Sequence, residues 1–128
     1  MPFYRKSVVR VAYALACHLG PGITFFLEHL PMLIPARRLI ETGSLLAFEH
    51  PTPSYPIHIL IVPRRFIAGL SDVQPDDSSL LGEVFLVVQC LVASLGLQDC
   101  GYRLIVNGGK YQEFPQLHFH LVSEGAGS

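Results

Sequence analysis

Residues 116–122 read Gln-Leu-His-Phe-His-Leu-Val. An imidazole changes charge near neutral pH, and in its neutral form it carries one lone pair and one N–H. Two of them two residues apart can share an ion, hold a phosphate, pass a proton or attack an electrophile. The surrounding residues are aliphatic or aromatic, so the stretch is expected to be a strand. Alternation along that strand puts Gln116, His118 and His120 on one face and Leu117, Phe119 and Leu121 on the other. His50 and His58 could converge on the same pair. Three readings of the cluster stay open at this point. The histidines could be ordinary residues of a half-exposed strand. They could be a metal site using His58, His118 and His120, with Glu113 the only carboxylate on the adjacent loop. They could also be a nucleophilic or acid–base centre, for which a phosphoryl substrate suits two imidazoles beside a glycine-containing loop rich in backbone N–H groups.

These side chains need a scaffold, and residues 39–128 supply one. Ser44–Glu49 and Ile57–Val62 read as two strands. The turn between them, His50-Pro51-Thr52-Pro53-Ser54-Tyr55-Pro56, is proline-rich and cannot continue a ladder. Pro75-Asp76-Asp77-Ser78-Ser79 is a helix start, with acidic and hydroxyl groups where free N–H groups need acceptors. Leu80, Leu81, Val84, Val87, Val88, Leu91 and Leu95 then recur at helical spacing up to about Ser94, with Gly96 as the stop and Cys90 read as a core residue. Tyr102–Asn107 is a further strand, closed by Gly108-Gly109. The order β-β-α-β-β predicts an α+β domain, an antiparallel sheet with a main helix packed on one face.

Residues 1–38 form a separate N-terminal apolar helical segment in this reading. Arg5, Lys6 and Arg10 precede a run from Val11 to Leu27 without a charged residue, broken by Gly20-Pro21-Gly22. The run is shorter than the roughly 20 residues of a membrane span. Two short helices are expected, packing on the domain or on a partner subunit, and the basic flank suits peripheral membrane contact through residues 8–34. A net charge of −1, from nine basic and ten acidic residues, gives no basic surface for nucleic acid. The three cysteines lack metal-ligand spacing, and their odd number fits a reducing, cytoplasmic setting.

The stretch Gln112-Glu113-Phe114-Pro115-Gln116-Leu117-His118-Phe119-His120-Leu121-Val122 resembles the signature of the histidine-triad superfamily, three histidines alternating with apolar residues. Leu46-Ala47-Phe48 with Pro53–Pro63 resembles that family's first hairpin. Gly101–Gly109 resembles its strand before the active-site loop. The match keeps order and approximate spacing over about residues 41–123. It implies a homodimeric, nucleotide-binding fold that cleaves at the α-phosphate of nucleoside phosphoramidates or dinucleoside polyphosphates through a nucleotidyl-histidine. The alternative is a binding or regulatory module with little catalysis. By position, His118 is implied as nucleophile and His120 as a phosphate contact. His58, Asn107 and Gln112 would line or support the phosphate site, and Phe48 would wall a purine nucleoside pocket. Gln116 stands where the first triad histidine is expected. His50 stands where many members have an acidic residue that grips the ribose, and Glu113 where the hydrolases often have a small hydroxyl residue assisting the leaving group. No cofactor and no bound metal are expected.

Overall fold

The computed structural model describes residues 38–125. The helical segment expected at the N-terminus, and the membrane contact expected through residues 8–34, fall on residues outside that range. Five strands form one antiparallel sheet: β1 Arg38–Glu41, β2 Leu45–Glu49, β3 Ile57–Pro63, β4 Arg103–Val106 and β5 Phe119–Ser123, in the spatial order β1-β2-β3-β5-β4. Between β3 and β4 the chain makes α1, Ser78–Ser94, and the short α2, Leu97–Cys100. The α+β architecture with a helix on an antiparallel sheet is therefore present. The edge strand β1 is additional to the sequence expectation. It is only four residues long, and its turn into β2 is held by Thr42, whose hydroxyl accepts the N–H groups of Ser44 and Leu45.

Alternation sorts each strand into two faces. Leu45, Ala47, Ile59, Ile61, Phe119 and Leu121 face the helix and meet Val84, Val87, Val88, Leu91 and Val92 in the core. Burying one such aliphatic side chain is worth about 2 kcal/mol, so this face fixes the register, and a one-residue slip would turn it to solvent. The helix start is built as the sequence suggests. A 3-10 turn at Pro75–Asp77 precedes α1, and the buried Asp77 carboxylate accepts the Gln74 N–H and pairs with Arg65. Gly96 has φ 66, a left-handed conformation that lets the chain leave α1 and enter α2 at once.

Three details differ from the sequence expectation. Leu95 is exposed and Val92 is in the core, because the helix ends at Ser94 and its buried stripe runs through Val88 to Val92. Cys90 is exposed, not a core residue, since it lies off that stripe. The histidine strand begins at Phe119, three residues later than its pattern suggests. Pro115 has no N–H to give a ladder, Gln116 N–H turns back to the Phe114 carbonyl at 2.9 Å, and Leu117 N–H is claimed by Ile67 at 2.7 Å.

Candidate active site

The face of the sheet opposite α1 carries the imidazoles. Phe48 pairs with Leu60, Leu60 with His120, and His120 with Ile105, so these four form one row across β2, β3, β5 and β4. His58 pairs with Val122, two residues along, which makes His58 and His120 diagonal neighbours on one face. Their rings meet there, with His58 Nε2 and His120 Nδ1 2.9 Å apart. His50 follows β2, its N–H bonded to the His58 carbonyl at 2.8 Å, and its ring stacks on that of His58 with centroids 4.2 Å apart. His118 stands just before β5, its ring edge-on to His120 at 5.0 Å and to Phe114 at 6.1 Å.

Each ring's tautomer follows from its backbone neighbours. The Ser54 N–H donates to His58 Nδ1 at 3.1 Å, so neutral His58 carries its proton on Nε2 and donates it to His120 Nδ1. His120 in turn carries its own proton on Nε2. The Thr52 N–H donates to His50 Nδ1 at 3.0 Å and makes His50 an Nε2–H donor as well. His118 has the opposite polarity. Its Nδ1 lies 2.7 Å from the Gln116 carbonyl, which can only accept, so Nδ1 holds the proton and Nε2 keeps the lone pair. One nucleophilic nitrogen thus stands beside rings that present N–H groups.

Electrostatics favour the neutral forms this pattern requires. Burial first, then repulsion from His58, His120 and His118, brings the His50 pKa down to about 3. Burial and repulsion from His118 and His58 bring His120 to about 4. Burial lowers His58 and His118 too, and for His118 the Gln116 carbonyl and the negative charge of Glu113 oppose it. Because the folded pKa values lie under the unfolded 6.5, the unfolded chain binds more protons at intermediate pH. The stabilising contribution is complete above pH 6.5 and drains as pH falls toward 4. Each unit is worth ~1.4 kcal/mol. With about half discounted for partial exposure of the rings, His50 and His120 together are expected to cost on the order of 2 kcal/mol between pH 7.5 and pH 5. Urea unfolding at the two pH values measures this, and equal midpoints would contradict it.

The rings line a cavity of 540 Å³, a size suited to a small ligand. Of the residues singled out in the sequence, His50, His58, Asn107, Glu113, His118 and His120 lie on its wall. Three do not. Phe48 is buried in the sheet row behind Leu60. The Gln112 amide donates to the Ala68 and Phe114 carbonyls at 2.7 and 2.9 Å and so ties down the loop that carries Glu113. Gln116 does not share a polar face with the histidines: it is 0% exposed, its amide nitrogen reaches the Pro63 and Arg65 carbonyls, and only its backbone oxygen serves His118. Its Oε1 has no hydrogen-bond partner among the described residues. Ser54, through a backbone N–H four residues ahead of His58, and the wall residues Tyr55 and Tyr111 also belong to the site, and none of the three carries a signal in its residue type.

A metal fits this arrangement poorly. Nitrogens of His50, His58 and His120 lie within 4.8 Å of one another. However, each Nδ1 already accepts a proton donor and each Nε2 carries its own hydrogen, so no free lone pair faces a common point. What the geometry can do is offer the His118 lone pair to an electrophile such as phosphorus, with His120 N–H near the developing charge.

The HIT domain family profile matches residues 32–126. An uncharacterized HIT-like protein of Chlamydia muridarum is 31% identical over 108 residues, 83% of this chain and 85% of that one. Among solved structures, a HIT family hydrolase from Legionella pneumophila Philadelphia 1 superposes with a TM-score of 0.70 at 36% identity, covering 77% of this chain and 89% of its own. A histidine triad nucleotide-binding protein from Candida albicans gives 0.65 at 31% identity, covering 76% and 71%. With its paired imidazoles on the open face of the sheet and a family match across most of its length, the chain belongs to the HIT domain family.

Proposed function

We propose that the protein is a nucleotide hydrolase or transferase acting at the α-phosphate of purine nucleoside phosphoramidates or dinucleoside polyphosphates. The observation that carries this reading is the reversed polarity of His118, whose Nδ1–H on the Gln116 carbonyl leaves Nε2 as a lone pair in a cavity otherwise lined by imidazole donors. In the reaction, His118 Nε2 attacks phosphorus, a nucleotidyl-histidine forms, and water releases the nucleotide. His120 Nε2–H stabilises the charge on the phosphoryl oxygens, and Asn107 borders the same space. Gln116 then stands at the first triad position and serves through its backbone oxygen. The hydrolase and nucleotide-binding relatives support this reading. Mixing native protein with a phosphoramidate in a rapid-quench apparatus should trap a nucleotidyl adduct on His118. An adduct elsewhere, or turnover without one, would reject the mechanism. A binding module with little catalysis is the second reading, motivated by His50, Glu113 and Gln116. It predicts purine nucleotide binding without turnover.

We further propose a homodimer in the cytoplasm. Among the described residues Cys90 and Cys100 form no disulfide, which suits a reducing compartment. α1 is apolar on more than its core face, with Phe85 63% and Leu86 62% exposed, and a helix apolar on most sides is normally covered. β4, an edge of the sheet, hydrogen-bonds only to β5 among the described residues. Leu86→Glu is expected to shift the sedimentation profile from dimer to monomer, and an unchanged profile would place the subunit contact elsewhere.

A further inference from the structure

Resting on the nucleotidyl-transfer reading above, we infer that His50 binds a second phosphate, joined through one bridging oxygen to the phosphate that His118 attacks. Of the two substrate classes this selects the dinucleoside polyphosphates, whose leaving group begins with such a phosphate. His50 is a half-buried imidazole that the attack on phosphorus leaves unused. The Thr52 N–H fills its Nδ1 at 3.0 Å, so its one proton sits on Nε2, and the ring lines the cavity. Stacking on His58, with centroids 4.2 Å apart, holds it in place. A fixed N–H donor in a cavity needs an acceptor. The rings beside it supply none, because His58 Nε2–H is itself a donor and His120 Nδ1 is filled by it.

Where this donor stands decides which acceptor suits it. β3 separates β2 from β5, so the backbone at the end of β2 lies two strand spacings, about 10 Å, from that of β5. The His120 ring bridges the gap, 5.0 Å from that of His118 and 6.1 Å from that of His50. A nitrogen of His50 lies within 4.8 Å of a nitrogen of His120. A phosphoryl group held by His118 Nε2 and His120 Nε2–H therefore leaves His50 to the group attached next to it. In a phosphoramidate that group is uncharged. In a dinucleoside polyphosphate it is another phosphate, anionic and rich in acceptor oxygens. Among the described residues no lysine or arginine lines the cavity, so a phosphate chain there is held by hydrogen-bond donors, which are what His50 and His120 present. Glu113, the carboxylate on the wall, belongs to the opposite loop, and its charge acts on His118.

In the first step His118 Nε2 forms its bond to the α-phosphorus, and the bond from that phosphorus to the bridging oxygen breaks. The oxygen keeps the electron pair and leaves as part of an anionic phosphate, still hydrogen-bonded to His50. Water then forms a bond to phosphorus, and the bond to Nε2 breaks and returns its electron pair to the nitrogen. The two protons of the water pass to the product phosphates or to solvent, so one water is consumed and the His118 lone pair is restored.

The test measures kcat/KM of native protein, His50→Ala and His50→Gln on two substrates of one purine nucleoside, a 5′-phosphoramidate of an alkylamine and a dinucleoside triphosphate. Relative to native, His50→Ala should lose about 10–100-fold more on the triphosphate than on the phosphoramidate, the worth of a hydrogen bond to a charged group. His50→Gln should recover most of that difference, because its carboxamide can accept the Thr52 N–H through Oε1 and donate through Nε2. A role in packing alone would lower both substrates alike, and equal losses overturn the assignment, as does native turnover of the triphosphate in His50→Ala. Calorimetry with inorganic pyrophosphate and orthophosphate separates this inference from the mechanism under it. Native protein should bind pyrophosphate more tightly than orthophosphate, and His50→Ala should lose that preference. If neither nucleoside substrate turns over, nucleotidyl transfer fails, while a pyrophosphate preference lost in His50→Ala still assigns the second phosphate to His50. Native protein that binds the two anions alike overturns the assignment.

Discussion

Replacing His118 with alanine is expected to reduce turnover of nucleoside phosphoramidates by about 10⁴-fold or more, because the atom that would bond to phosphorus is removed. The neighbouring groups cannot substitute for it. His120 Nδ1 is occupied by His58, and its Nε2 carries a hydrogen. The substitution should leave the fold in place, since the side chain gives up one hydrogen bond to the Gln116 carbonyl and edge contacts with Phe114 and His120. Losses of that kind are typically about 1–2 kcal/mol. Steady-state assays of native and His118→Ala protein, with circular dichroism to check folding, measure the effect. A residual rate within tenfold of native would remove His118 from the nucleophile role.

The second large effect is expected at a residue that does not need to touch the substrate. His58 is a positioning residue: it converts the Ser54 N–H on one side into an Nε2–H donor on the other, and so keeps the proton of His120 on Nε2. With His58→Leu, His120 Nδ1 loses its donor. The ring is then free to turn a lone pair toward the phosphate. Losing a donor aimed at developing charge costs about 10²–10³ in kcat. His58→Gln should recover most of this, because a carboxamide can accept from Ser54 through Oε1 and donate to His120 through Nε2. A role in packing alone would not rank the two variants by hydrogen-bond polarity. ¹⁵N NMR of the His120 ring reports the tautomer directly. Native kcat in His58→Leu with an unchanged His120 tautomer would end the argument.

Much of the fold was legible because alternation and helical spacing are written in residue types. Ile57–Pro63 and Ser78–Ser94 announce themselves by apolar period, and Pro75 and Gly96 punctuate the helix. β1 is too short to show a period, and it exists because β2 offers it an edge. The site was legible to the level of its side chains, since His50, His58, His118 and His120 do converge on one cavity. Their polarity was not. It is set by the N–H groups of Thr52 and Ser54 and by the carbonyl of Gln116, groups that every non-proline residue carries and that no letter of the sequence distinguishes. Gln116 and Gln112 misled for a related reason. Both look polar enough to face a ligand, yet buried carbonyls at Pro63, Arg65 and Ala68 take their amides first.

The carbonyl under His118 has a consequence for how freely position 116 can drift. The atom that orients the His118 ring belongs to the peptide chain, so exchanging the side chain leaves it in place as long as the kink after Pro115 survives. What the side chain must do is fill an enclosed slot and answer the nearby carbonyls, and even there one amide oxygen goes unanswered. Such a position is tolerant in its chemistry and strict only in its shape. Another side chain of the same shape at position 116 would leave that carbonyl where it is.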